Sequence, residues 1–363
     1  MISKAIFSTK QNEFFHELRS SVDDYFVSRR KNKTGNFELY FKTIVLVSVA
    51  IACYILLLRL PVSAAVSIPL CALFGFTLAG IGFSVMHDAC HGCYSSKSWV
   101  NNLFGMSLNA LGGTAFFWKQ KHNILHHTYT NIDGIDDDLA KSPLLRLCQE
   151  QKWLPNHKWQ HIYLPFAYGI TSMAWILLMD FQKYFRGKMT GAHNWTMKPI
   201  NHIVFWLTKI GYVFFYALVP IYFVGFQNWL IGYLIMNFCF GLTLSVVFQL
   251  AHFVENTESD HVQQGETINI EHTWAVHQLR TTSNFAMRNR FINWFVGGLN
   301  FQIEHHLFPR ISHVHYPTIS KIVQQKCAEF NLPYNYFDTM SGAVASHFRV
   351  MRQLSRRPVP AIS

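Results

Sequence analysis

Charged side chains are scarce in this chain: only 14% of its 363 residues are Asp, Glu, Lys or Arg, against about 25% in a typical soluble domain. Half of the residues are apolar and 16% are aromatic, a balance that excludes an ordinary water-soluble globule and implies a membrane protein with sizeable water-exposed parts. Seven cysteines, at positions 53, 71, 90, 93, 148, 239 and 327, are scattered and odd in number, so no disulfide framework is present. Cys90 and Cys93 form a C-x-x-C with no second pair near it, which reads as small residues in a tight turn rather than a zinc or redox motif. The opening MISKAIFSTKQNEFFHELRSSVDDYF lacks the uninterrupted apolar core and cleavage site of a signal peptide. Internal repeats and low-complexity tracts are also missing, and the final RRPVPAIS reads as a disordered tail.

Four long apolar runs are present: Tyr40 to Leu60, Val62 to Met86, Ile203 to Phe226 and Trp229 to Phe253. Each reaches the ~20 residues that a helix needs to cross the hydrocarbon of a bilayer. Only Pro61 separates the first pair and only Gln227 and Asn228 the second, so the runs form two transmembrane hairpins with both chain ends on one side. Of the 31 Lys and Arg, all but Lys42, Arg59 and Lys209 lie in the segments 1–39, 87–202 and 254–363. The positive-inside rule therefore places those segments in the cytoplasm. The net charge of +11 then reads as topology and attraction to anionic lipid, not as a nucleic-acid groove. Two weaker apolar stretches, Leu103 to Trp118 and Ile162 to Phe181, are broken by Gly, Pro or Tyr and read as interfacial or re-entrant helices. The expected fold is an all-α integral membrane protein: a cytoplasmic segment 1–39, a main domain 40–335 with four spans and a helical cap, and a tail 336–363.

Seven of the 19 histidines fall in three clusters, HDACH (His87, His91), HNILHH (His122, His126, His127) and QIEHH (His305, His306). Histidines four apart share one face of a helix, and the topology puts all three clusters at one membrane face, the first directly at the end of a span. Seven imidazoles exceed what one ion takes, so two metal centres are expected. Imidazole suits Fe, Cu, Ni and Zn alike; nitrogen-rich ligation beside a lipid-facing bundle favours iron and the activation of dioxygen. His252, at the end of the fourth span, arrives at the same level and is expected to be an eighth ligand. His272 and His277 read as supporting residues, His313 and His315 as peripheral. His16, His157, His161, His193, His202, His261 and His347 read as ordinary structural or surface histidines. Gln302 stands three and four residues before His305 and His306, where the other clusters begin with histidine. Its amide reads as a weak ligand or a hydrogen-bonding neighbour of the centre.

The three motifs in this order around two hairpins resemble the membrane fatty acid desaturases with three histidine boxes, over about residues 40 to 335. The glutamine-led third box, running on into LFPRISHVHYPTI, resembles the front-end branch, which places a double bond between an existing one and the carboxyl end of an acyl chain, typically at Δ5 or Δ6. That resemblance implies a non-haem di-iron centre held by His87, His91, His122, His126, His127, His305 and His306, with His252 added. It also implies dioxygen as co-substrate, two electrons per turnover, and an acyl-CoA or acyl-lipid substrate. Asp136 to Asp138, in the run after the second box, are candidates to orient ligand imidazoles. Many eukaryotic front-end enzymes carry a fused cytochrome b5 domain with a His-Pro-Gly-Gly motif, which this sequence does not contain. Electrons are then expected from a separate donor, cytochrome b5 or ferredoxin, as in shorter bacterial members, and a bacterial inner membrane is the implied location. A di-iron hydroxylase would use the same boxes. A histidine-rich metal transporter is the rival from another class, but it would want ligands in mid-membrane.

Overall fold

The computed structural model describes residues 3–10, 12–59, 63–139, 143–189, 195–263 and 265–358. The first hairpin's turn at Pro61, the end of the tail beyond Pro358, and His193 lie outside these described residues. Four helices are long and apolar enough to cross a membrane: Phe37–Arg59, Ala64–Cys90, Pro199–Val224 and Phe226–His252. Three of them start three or four residues before the runs marked out by hydropathy, because helical backbone continues through polar end residues such as Glu38 and Asn201, and the second starts two residues after its run begins. The second and fourth spans pack closely, and both end on a histidine box or its neighbour.

A pair of helices, Pro155–Gly169 and Thr171–Arg186, is bent by 63° at its break. Ser172 donates to the Asn237 carbonyl of the fourth span at 2.8 Å. Backbones meet closely here: a Cβ on Gly241 would lie 2.6 Å from the Gly169 carbonyl oxygen. The second histidine box precedes this pair and His252 follows it, yet both belong to one cluster, described below. The chain between them therefore crosses an even number of times. The third and fourth spans supply two crossings, so the bent pair returns to the side it left, as a re-entrant unit does. The stretch from Leu103 to Trp118 is likewise no span but a series of short helices that break at Gly105 and Ala110.

The cap is helical, with three short parallel strand pairs added. Lys4–Phe7 pairs with Thr267–Ile270, Ile132–Asp133 with Asp260–His261, and Asn284–Phe285 with Tyr336–Phe337. The polar loops around residues 131–138 and 252–266 are thus tied to each other. Residues before the first span are part of the cap: helix Glu13–Ser28 buries Phe14, Leu18, Val22 and Phe26, an i, i+4 stripe that packs with Ile319 and Val323 of helix Tyr316–Glu329. Helix Met340–Leu354 is similarly docked, by His347 accepting from Tyr168 at 2.8 Å and lying 2.7 Å from the Phe253 carbonyl.

One buried ion pair fastens the bent pair to the third span. Lys209 donates to Asp180 at 2.9 Å and to the carbonyls of Gly112 and Ile176, while Thr114 and Trp175 also donate to Asp180. Breaking a buried pair from one side leaves a charge uncompensated, at a cost of roughly 3–5 kcal/mol. Lys209→Met is therefore expected to lower the thermal unfolding midpoint markedly in detergent, and Lys209→Met combined with Asp180→Leu to recover part of the loss. Equal midpoints for wild type and Lys209→Met would show that the pair does not anchor the unit.

Candidate metal centre

The first box sits where the second span loosens. Residues Gly82–Met86 form a π-helical turn immediately before His87, and such a turn inserts one residue and re-aims the side chains after it. The turn Gly297–Gly298 rests against this point: both have positive φ, and a Cβ on Gly297 would lie 2.5 Å from the Phe83 carbonyl oxygen. Only glycine fits that close approach, and it sets the third box, a few residues on, beside the first.

The second box lies on a π-helical stretch, Lys119–His126, which His127 caps. This changes its geometry from the i, i+4 face that an α-helix would give. In a π-helix, residues five apart align, and His122 Nε2 lies 3.2 Å from His127 Nε2. His127, which α-helical spacing offsets from the cluster, is thereby turned into it. Trp118 stacks on His122, with centroids 4.3 Å apart, and meets His87 and His91 edge-on.

The structure brings together all eight sequence-predicted histidines, each at most 9% exposed. Their ring nitrogens form two groups, His87, His91, His122 and His305 on one side and His126, His252 and His306 on the other, with His127 grouped with His305 and His306 between them. Adjacent residues on the helix Gln302–Leu307 point about 100° apart, which is why His305 joins the first group and His306 the second. Burial, then the neighbouring imidazoles, push His91, His122, His127, His305 and His306 well below the usual histidine pKa. They are neutral, the form in which imidazole donates a lone pair to a metal. His126 is the exception: burial lowers its pKa, but the Asp136 carboxylate beside it outweighs that and raises it.

The residues present fit metal ions. Nε2 of His87, His91, His126, His252, His305 and His306, together with Nδ1 of His127, are buried with no hydrogen-bond partner. On four of these rings the opposite nitrogen is held. His126 Nδ1 lies 2.9 Å from Asp136, His305 Nδ1 3.1 Å from the Tyr316 hydroxyl, His306 Nδ1 2.8 Å from Gln278 Oε1, and His252 Nδ1 3.2 Å from the Thr281 carbonyl. One nitrogen fixed and the other bare is the arrangement of a metal-ligating histidine. Cys90 and Cys93 are buried free thiols outside these groups.

The three aspartates after the second box divide their work. Asp136 holds His126, Asp137 pairs with Lys183 at 2.6 Å, and Asp138 pairs with Lys121. His277 supports the site from behind, its Nε2 lying 2.8 Å from the Thr130 carbonyl, while the Thr130 hydroxyl donates to Gln278. Two histidines are less peripheral than their sequence positions imply. His313 accepts from Lys42 at 2.9 Å through Nε2, and its Nδ1 lies 3.0 Å from Asp88, which also accepts from Ser312 at 2.6 Å. His315 is buried beside the Thr34 carbonyl. Gln302 is buried at the start of the helix carrying His305 and His306, but the amide that holds a ring is Gln278. No spacing marks Gln278 in the sequence; it stands one residue after His277. Glu304, between the boxed residues, is also buried, and burial pushes its carboxyl up to about 7 against hydrogen bonds from Tyr334 and Asn284.

Comparison with known proteins adds three findings. A family model described as Fatty acid desaturase matches residues 19–338. The chain is 33% identical over 359 residues to an sn-1 linoleoyl-lipid 6-desaturase of Synechocystis sp., covering 96% of this chain and 97% of that protein. It is also 33% identical to an acyl-lipid (8-3)-desaturase of Physcomitrium patens, covering 95% of this chain and 72% of that protein.

Removing the carboxylate behind a ligand ring commonly weakens metal affinity by about 10–100-fold. Asp136→Asn is expected to lower the metal retained per chain after dialysis against a chelator by that order. Asp133→Asn, whose side chain meets Gln151 and the half-exposed His261, should retain metal as the wild type does. Equal retention in both variants would remove Asp136 from the site.

Proposed function

The chain belongs to the fatty acid desaturase family, and from that premise we propose that it inserts a cis double bond on the carboxyl side of an existing one, at Δ6 or Δ5, in an acyl chain esterified to a membrane lipid. Relatives that span nearly all of it bear the names of acyl-lipid desaturases, and its third box is led by Gln302. A centre at the ends of the spans also suits this regiochemistry, since carbons near the ester lie close to the headgroup level.

The observation that carries the reading is the pair of buried imidazole groups with seven bare ring nitrogens. We assign His87, His91, His122 and His305 to one iron and His126, His252 and His306 to the other, with His127 between them. The chemistry that two bound iron ions supply is the reduction of dioxygen to water, using two electrons and two protons from outside and two hydrogens from neighbouring methylenes. The chain's own residues do the rest. Asp136, Gln278, Tyr316 and the Thr281 carbonyl fix four of the rings, Trp118 and the packed cap exclude water, and Gln302, which opens the helix carrying His305 and His306, serves as an amide neighbour of the centre. Placement of this kind is the protein's main contribution when a cofactor performs the oxidation.

The positive-inside rule puts both chain ends, the cap and the centre on the cytoplasmic side, in a bacterial inner membrane. A separate donor, cytochrome b5 or ferredoxin, supplies electrons, and an acidic donor matches the basic cap. A metal transporter is disfavoured by the position of the histidines at the ends of the spans and not midway along them.

The test is expression in a host without polyunsaturated lipids, fed linoleate, with mass spectrometry of the lipid chains. A product lighter by two hydrogens, with its new bond at Δ6 or Δ5, is expected from the wild type and none from His306→Ala. Addition of one oxygen would make the protein a hydroxylase, and an unchanged profile with every fed polyene would sink the proposal. Gln302→His is expected to lose activity by about tenfold, in the range typical of residues beside metal ligands; full activity with the same product would show the amide to be dispensable.

A further inference from the structure

At the end of the bundle opposite the histidines, a cavity of about 590 Å³ opens among all four spans, within the ~300–1,000 Å³ range of ligand pockets. Its wall includes Tyr54 and Arg59 of the first span, Cys71 of the second, Tyr216 of the third, and Trp229 and Met236 of the fourth. Cys71 and Met236 precede His87 and His252 by about sixteen residues, or roughly 24 Å of helix. A molecule held there is separate from any chain at the metal centre.

The cavity is shaped for hydrocarbon. A π-helical turn, Phe214–Leu218, widens the third span at this level. Such a turn leaves backbone carbonyls poorly paired, and the wall's polar groups are turned onto them: Tyr54 donates to the Phe215 carbonyl at 2.6 Å and Trp229 to the Tyr216 carbonyl at 2.7 Å. The Tyr212 and Tyr233 hydroxyls bond to each other at 3.0 Å. With these donors engaged, and Asn228 donating to the Val224 carbonyl at 2.9 Å, the lining is mainly apolar, with Ser67 and Arg59 among its other polar residues.

The mouth is shaped for an anion. Arg59 is exposed there, its guanidinium 5.2 Å from the Phe223 ring centre, and it enters no ion pair among the described residues. No Asp or Glu occurs in residues 39–87 or 181–254; the first hairpin's carboxylates, Glu38 and Asp88, lie at the other end of its spans, so none stands beside Arg59 to neutralise it. Arginine binds phosphate oxygens through a planar fork of donors. We propose that this cavity holds an acyl chain of an anionic glycerophospholipid whose headgroup engages Arg59. This site stands apart from the desaturation chemistry and does not rest on it.

The test uses native mass spectrometry of the full chain in detergent, with phosphatidylglycerol and phosphatidylcholine of matched acyl chains as probes. The wild type is expected to retain one phosphatidylglycerol in preference to phosphatidylcholine. Arg59→Gln should weaken phosphatidylglycerol binding by about fivefold, the order expected of one basic side chain at a charged membrane surface, and weaken phosphatidylcholine, whose choline offsets its phosphate charge, by less. Ile68→Trp, which fills the cavity, should abolish both adducts while iron per chain stays at the wild-type level; Ser67→Phe gives the same reading if Ile68→Trp does not fold. Equal binding of the two lipids by the wild type and Arg59→Gln, or undiminished adducts in a folded cavity-filling variant, would overturn the proposal, because both describe lipid that merely surrounds the bundle.

Discussion

Everything in the cap is arranged around one electrostatic constraint: eight imidazoles are buried together, and most are kept neutral. A buried polar atom without a partner costs about 1–3 kcal/mol. Seven ring nitrogens of this cluster are in that position. Under the proposed assignment, cations accepted by those lone pairs would offset that cost, which would couple metal binding to the stability of the cap.

The rings are held by chain segments far apart in sequence. Asp136 follows the second box, Gln278 and Thr281 lie on the helix Trp274–Thr281, and Tyr316 opens a helix after the third box. Asn131, in the left-handed conformation that Asn tolerates better than most residues, donates to the carbonyls of His252 and Glu258 and so joins the loop after the second box to the end of the fourth span. Four of the rings are therefore oriented from three different parts of the cap. A local change in one segment is felt at the centre through a single hydrogen bond.

The spans and the cap answer different solvents. The spans leave large apolar side chains such as Ile44, Leu207 and Ile231 exposed for lipid, and polar side chains such as Thr77 and Thr243 hydrogen-bond to carbonyls of their own helix. In the cap, charged groups are paired: Asp137 with Lys183, Asp138 with Lys121, and Asp88 with His313, which in turn meets Lys42 of the first span. Lys42 and Lys209 thus reach inward from spans to polar partners, where burial of an unpaired ammonium would be costly.

By itself, the sequence determined the membrane class, the four spans and the three histidine boxes, because hydropathy over ~20 residues and motif spacing are local properties that survive without coordinates. It also marked His252, since the end of a span fixes a residue's depth, and Asp136 to Asp138 as a group, of which only the structure singles out Asp136 as the partner of His126. Tertiary structure decided which imidazoles face one another. The π-helical second box aligned His122 with His127, an outcome that α-helical spacing does not predict. The bent pair returned to its own side because its neighbours share one centre. Gln278 and the Asp88–His313–Lys42 chain came from packing between residues 28 to 271 positions apart, and hydrogen bonds across such separations leave no periodicity in a sequence to be read.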